Sequence, residues 1–420
     1  MFAFSVRHVY MGGERLGFLT EPLKAFSDFP KTVYNVLTSK EIKGISLTYT
    51  LKDTTYHEMN KLHYNVFGLN SFYDHAKDQW EIKLFNFRDN AVHYTWNLQK
   101  NDFYKTKDRF FKNARIKNPI LLPNRSLIAV CVETQNLYRL DKNSNIIWHN
   151  TSKTFHHALN LSVDSNIWTC TSEHGAFILE KRRPENLYYR DDFLTKIDLQ
   201  TGEILYDKSI SNILIENEHE NFLYGFSNTV DPLNKTDPLH LNDIQPVYTN
   251  GLFWEKGDVF LSLRHKSLII HYRPRTNEII RLIHGPFLFQ HDVDIISDHE
   301  ISIFDNNTTN IGKYNPEDHV NASLQVKDTL THSKIIVYNY KDSTFRTLYE
   351  EQFVREDIYS RTEGSYEFLS SGDICIESQN DAKVYIMNDD EVLLKKQFHT
   401  NKEHLVHLPN WIRIYENINF

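Results

Sequence analysis

Apolar and polar positions alternate along most of the chain with the period of a β-strand. The run ISLTYTLK at 45–52 sets the pattern, and later segments repeat it in pieces of about six residues bounded by Asn, Asp, Gly or Ser, which favour turns. Only the opening stretch departs. Between residues 14 and 43 apolar side chains stand at Leu16, Leu19, Leu23 and Phe26, then at Val33, Val36 and Leu37, near helical spacing and interrupted by Pro22 and Pro30. The pattern predicts a short helical extension over residues 1–44 and an all-β domain over 45–420.

Within the β domain a single hairpin type recurs: a strand, a polar turn, then a second apolar strand. It appears at 82–96, 137–148, 194–206, 268–283, 334–349 and 383–396. These six copies lie roughly 60 residues apart, a little more than a four-stranded propeller blade needs before loop insertions. A sandwich would use too few strands and a β-helix much shorter repeats. The expected fold is therefore all-β, a six-bladed β-propeller. Residues 45–70 are expected to start the first blade or to close the ring against the last, removing a free edge.

Composition narrows the class without naming a function. The chain has 420 residues, of which 40% are hydrophobic and 24% charged, enough for a sizeable core. Its net charge of −8 comes with no basic stripe, which speaks against nucleic acid as a partner. Cys131, Cys170 and Cys375 are far apart and read as buried free thiols, with neither metal spacing nor a disulfide framework. No run of 18 apolar residues exists to span a bilayer, and Arg7 and His8 break the opening run too early for a signal peptide. A membrane anchor upstream stays open, as does the oligomeric state.

Candidate chemistry lies in the repeat frame. His157 (HALNL) aligns with His291 (HDVDI), and His240 fits the same offset through Asp243 and Ile244. In a propeller the innermost strands line one channel, so equivalent positions converge. Five residues beyond Ile167, Val259, Ile301 and Ile374 stand Ser172, Arg264, Asn306 and Gln379, each with a hydrogen-bonding group. Arg264 among converging histidines suits a tetrahedral oxyanion, because a guanidinium offers a planar fork of donors. Asp292 and Asp294 can orient the His291 imidazole or accept a backbone N–H nearby.

The motifs HLND, GDVFLSLR, QHDVD and EISIFDNN, with the earlier His156–His157 pair, resemble the arylsulfotransferase family. The likeness is clearest over about residues 115–310, extends more weakly through EGSYEFLSSGDICIESQ, and adds almost nothing before residue 80. It implies a six-bladed propeller that uses no PAPS and no other cofactor. A sulfuryl group would pass from an aryl sulfate to an acceptor hydroxyl through a sulfated histidine. By that resemblance His291 is the nucleophile, and His157, His240, Asn242 and Arg264 hold the sulfuryl oxygens. Either His156 or His157 matches the first histidine of the family pattern. The partners implied are a small-molecule sulfate ester and a hydroxyl acceptor, and the compartment implied is periplasmic or membrane-associated.

Two other readings stay open from sequence. Converging imidazoles suit a transition metal, although Arg264 beside them would oppose one, and no metal is expected. A non-catalytic propeller presenting loops to a protein or glycan would tolerate the loss of His291.

Overall fold

A computed structural model of the chain describes residues 49–74, 77, 79–98, 115–131, 134–174, 190–224, 237–308, 332–400 and 403–418. The helical extension expected over 1–44 lies outside the described residues. Residues Leu51–Phe420 form one compact unit.

That unit is a ring of six antiparallel sheets. Blade II runs outward through Ile116–Leu121, Leu127–Cys131, Asn136–Leu140 and Ile146–Asn150, and blade III through Thr154–Leu161, Ile167–His174, Arg190–Ile197 and Ile204–Ser209. Blade IV comprises Leu241–Pro246, Val259–Leu263, Leu268–Arg273 and Glu278–Ile283. Blade V comprises His291–Ile295, Glu300–Asp305, Lys334–Asn339 and Thr344–Leu348. Blade VI begins with Ser365–Phe368, Ile374–Ser378, Lys383–Met387 and Val392–His399. The six hairpins read from the sequence are the third and fourth strands of the six blades, and in blade VI the sheet continues beyond them.

Blade I is assembled from both ends of the unit. Phe67–Asp74, Gln79–Asn86 and Val92–Asn97 are its outer three strands, and its innermost strand is Arg413–Tyr415, paired Arg413 to Leu69 and Tyr415 to Phe67. Of the two roles offered for residues before 70, Phe67 starts blade I, and Met59–Asn60 also adds to blade VI by pairing with Lys395 and Leu394. The channel-side closure by the last strand was not expected from the sequence.

The turn chemistry explains why the hairpins were readable. Asn90, Ser144, Asn277 and Ser343 take left-handed φ values of 57° to 70° in four outer turns, and Gly202 takes 77° in a fifth. Small polar residues and glycine tolerate that conformation, and a ladder shift follows it in blades I to IV, as in a three-residue hairpin with a bulge. Apolar side chains then fill the space between neighbouring blades. Trp80 and Leu84 of blade I meet Leu127 and Tyr138 of blade II, and Trp168 and Leu194 of blade III meet Leu261 and Ile270 of blade IV. Cys131, Cys170 and Cys375 are buried in these layers and form no disulfide with one another.

Candidate active site

The innermost strands of blades II to V all slip register at the same end: between Lys117 and Ile120, His156 and Leu159, Leu241 and Asp243, and His291 and Val293. Left-handed residues stand in three of these slips, Asn118 (φ 45°), His157 (54°) and Asp292 (50°), and just before the fourth, His240 (56°). A bulge inserts an unpaired residue, bends the strand and re-aims its side chains. Side-chain carboxylates also tie blades III to VI together through backbone N–H groups of the inner strands. Asp192 accepts from Leu241 N at 2.8 Å, Asp243 from Val293 N at 2.9 Å and Asp292 from Tyr366 N at 2.9 Å. Asp292 is thus tied to blade VI and does not orient the imidazole beside it.

The bulges gather the histidines at the channel. The His157 ring lies 4.8 Å from His240 and 6.5 Å from His291, centre to centre. Trp411, just before the closing strand, stands 5.8 Å from His157 and 6.0 Å from His291. Of the adjacent pair, His157 is the one among these rings. His156 is turned into blade III, its Nδ1 2.7 Å from His157 Nδ1 and its Nε2 3.4 Å from Asp192 Oδ1.

His291 is fully buried, and its Nδ1 lies 2.6 Å from Asn306 Oδ1. The Asn306 amide nitrogen donates to Ser360 O at 2.6 Å and Glu363 O at 3.0 Å, which leaves only its oxygen for the ring. His291 therefore carries its proton on Nδ1, and its Nε2 holds a lone pair with no partner. Burial, reinforced by the charge of Arg264, holds its pKa well below the ordinary imidazole value. His157 is lowered in the same way by burial and then by His240. A neutral, desolvated imidazole with a free lone pair is a nucleophile.

The other residues expected from the repeat frame fall into two groups. Arg264 is buried on blade IV, with its guanidinium 4.9 Å over the Phe289 ring and its Nε meeting no acceptor. Burial lowers its pKa to about 10, so it stays charged at neutral pH. Asn242, the extra residue of the blade IV bulge, donates to Gln290 O at 2.8 Å and keeps a buried, unpartnered Oδ1. Gln379 is buried, and its Oε1 meets no partner. Ser172 is buried inside blade III between Thr154 and Asp192, and Asn306 holds His291 instead of facing the channel as a ligand group.

Several residues here were not found from the sequence. Asp237 pairs with His240 Nδ1 at 2.6 Å, and Arg190 stands 3.7 Å from the same carboxylate oxygen. Burial alone would raise the Asp237 pKa, but His240 and Arg190 hold it well below the carboxylate range. Lys117 is buried at the blade II bulge, bonded to Glu363 at 2.8 Å and placed 5.6 Å over Trp411. Asp237, His240 and His265 bring ligand atoms within 4.8 Å of one another, the geometry nearest to a metal site among the described residues. Arg190 beside Asp237, and Arg264 next to His265 in the chain, oppose a cation there.

Beyond Trp411 the channel widens into a cavity of about 200 Å³ lined by Asp243, Asp292, Asp294, Glu367, Glu377 and Arg413. Trp411 stands between it and the histidines. The charged groups lining the cavity are thus mainly carboxyl groups, with Arg413 among them.

A family model described as Arylsulfotransferase (ASST) matches residues 118–399. No curated protein matches in sequence. Among solved structures, a protein of unknown function from Bacteroides caccae is 8% identical, with a TM-score of 0.49 over 83% of this chain and 98% of its own. TolB from Acinetobacter baumannii is 11% identical with a TM-score of 0.41, over 94% and 72%. The WD40 β-propeller domain of Doa1 is 10% identical with a TM-score of 0.35, over 78% and 79%.

Proposed function

The chain belongs to the arylsulfotransferase family, and from that premise we propose that it transfers a sulfuryl group from a sulfate ester to an acceptor hydroxyl through a sulfated His291. The observation that carries this reading is the unpartnered Nε2 of His291, buried and held as a lone pair by the Nδ1 bond to Asn306. That lone pair attacks sulfur while the sulfur–oxygen bond to the leaving phenol breaks. The acceptor oxygen then attacks the same sulfur, and the sulfur–nitrogen bond breaks to regenerate the imidazole. Splitting one difficult displacement into two in this way is the usual gain from a covalent intermediate.

In this reading Arg264 holds equatorial sulfuryl oxygens, which its unpartnered Nε and its guanidinium stacked on Phe289 support. In the same reading His240, backed by Asp237, stabilises negative charge as it develops, and His157 completes the group of nitrogen donors. Asn242 contributes an amide from the bulge, while Ser172 and Gln379 belong to the supporting shell. Lys117 supplies a second buried cation on the blade II side.

The test is mass spectrometry of the protein after incubation with an aryl sulfate and no acceptor. A single SO₃ adduct on His291, absent in His291→Asn, is the expected result. Wild-type turnover by His291→Asn would remove the reading and favour a non-catalytic propeller.

A further inference from the structure

Sulfuryl transfer through a covalent intermediate has a proton problem. The departing phenoxide needs a proton in the first half-reaction, and the acceptor hydroxyl loses one in the second. His291 cannot supply or store it, because its Nδ1 hydrogen is held by Asn306 and its Nε2 carries the sulfuryl group. Some other group must release one proton and later take one back.

We propose that Asp192, His156 and His157 form a relay that stores this proton at Asp192 and delivers it to the channel through His157. The inference rests on the transfer reading above. Its basis is the Nδ1-to-Nδ1 contact of 2.7 Å between His156 and His157. Two ring nitrogens at that distance share one hydrogen, so one ring donates and the other accepts. The outer ends of the pair then follow: His156 Nε2 faces Asp192 Oδ1 at 3.4 Å, and His157 Nε2 is left for the channel among His240, His291 and Trp411. Neither His156 Nε2 nor Asp192 Oδ1 is in hydrogen-bond geometry at rest, so a small turn of the His156 ring has to close the 3.4 Å contact, and both residues are buried. Strict strand alternation would send neighbouring side chains to opposite faces; the bulge between His156 and Leu159 brings the two rings together.

The steps balance. At the start Asp192 is protonated, His156 carries hydrogen on Nδ1 and His157 on Nε2. As the sulfur–oxygen bond breaks, His157 gives its Nε2 hydrogen to the phenoxide, takes the His156 Nδ1 hydrogen on its own Nδ1, and His156 takes the Asp192 proton on Nε2. Both rings stay neutral and have exchanged tautomers, and Asp192 is now a carboxylate. When the acceptor attacks, His157 Nε2 takes its proton, and the three transfers run backwards.

The surroundings of Asp192 suit a store. Burial, with Asp237 nearby, raises its pKa to about 7, against the opposing charges of Arg190 and His240. Arg190 Nε lies 3.8 Å from Oδ1, Asp191 is its chain neighbour, and Oδ2 accepts from Leu241 N at 2.8 Å. Burial keeps both rings neutral, as the tautomer exchange requires. Asp192 and His156 do not reach the channel themselves; they act through His157.

The leaving group separates this relay from a structural role. 4-Nitrophenoxide departs without a proton, whereas unsubstituted phenoxide needs one, and general acid catalysis is worth about 100-fold or more. In Asp192→Asn and His156→Phe, rapid-quench measurement of His291 sulfation is expected to show a loss with phenyl sulfate at least about tenfold greater than with 4-nitrophenyl sulfate. Equal losses with both donors, or no loss, overturn the relay. In the unmodified protein, sulfation by phenyl sulfate should fall as pH rises through about 7, while sulfation by 4-nitrophenyl sulfate should not. Parallel pH profiles overturn the relay without any variant having to fold. Failure of the unmodified protein to form a His291 adduct with either donor removes the transfer reading itself, and the relay with it.

Discussion

His291 Nδ1 and Asn306 Oδ1 are 2.6 Å apart, and that single contact decides which nitrogen of the imidazole can react. Asn306 cannot reverse its amide, because its nitrogen is held by Ser360 O and Glu363 O from the segment leading into blade VI. The orientation of a ring on blade V is thereby set by the backbone of its neighbour. Tautomer control of this kind is what makes a buried imidazole useful.

Asn306→Ala should keep the fold but lose this control. The substitution strands two carbonyls and the Nδ1 hydrogen, a cost of about 1–3 kcal/mol for each group left buried and unpaired. Turnover should fall by about 100-fold, the order expected when an orienting partner is removed. Asn306→Asp keeps the acceptor and adds charge, so it should raise the His291 pKa and shift the acid limb of kcat/KM to higher pH. An unshifted limb in Asn306→Asp would show that this oxygen does not govern the ring.

Arg264 gives a second test. Its guanidinium is stacked on Phe289 and charged, so its planar fork is already oriented before substrate arrives. Arg264→Lys should lose activity nearly as far as Arg264→Ala, because a flexible point charge replaces neither the paired donors nor the stacking. Steady-state kinetics on the two variants decide this. Full activity in the Lys variant would show that charge alone suffices.

The third concerns pH. His291 must be neutral to attack, and burial holds its folded pKa well below 6.5. The acid limb of kcat/KM should therefore lie below the ordinary imidazole range. Stability has its own sign. Below about 6.5 the unfolded chain binds a proton that buried His291 does not, so the folded state loses stability as pH falls. Buried acids such as Asp243, raised to about 6, act oppositely: their protonated form is favoured in the fold, and they cost stability as pH rises from about 4. The variant His291→Asn isolates the first effect. Its destabilisation relative to wild type should be smaller at pH 5 than at pH 8 in urea melts, and an unchanged difference would mean that the ring is not held neutral.

The hairpins were legible because their signals are local. Period-two alternation and left-handed Asn, Ser and Gly turns are written within a dozen residues of one another. The repeat offset also placed His157, His240, His291 and Arg264 near one another, because equivalent positions in a ring face one axis. What escaped was non-local or depended on a bulge. The pairing of Phe67–Leu69 with Arg413–Tyr415 spans nearly the whole unit and has no local mark. Asp237 and Trp411 lie outside the repeat frame, and Lys117 occupies a bulge whose sequence, Lys-Asn-Pro, carries no histidine to announce it. The meeting of His156 with His157 contradicts strand alternation and needs the register slip. Asn306 reads from sequence as a polar group at the site, but its role depends on the carbonyls of Ser360 and Glu363, which no spacing rule connects to it.

The closing strand yields the last prediction, because it links stability to the site. Glu377 on blade VI accepts from Trp411 N at 2.9 Å and Ile412 N at 2.6 Å, fixing the chain as it turns toward blade I. Trp411 takes a left-handed φ of 56°, which carries its indole across the channel against His157 and His291, and Lys117 lies over it. A buried indole replaced by methyl costs about 3–5 kcal/mol. Trp411→Ala should therefore lower the denaturation midpoint and also open the histidines to the acidic cavity beyond, raising KM for the donor. Trp411→Phe keeps an aromatic floor and should lose much less of both. Glu377→Ala should mimic the stability loss by freeing two backbone N–H groups, with the indole itself still present. Urea denaturation combined with donor KM for the three variants tests the arrangement. Wild-type KM and stability in Trp411→Ala would mean that the indole neither floors the site nor holds the ring closed.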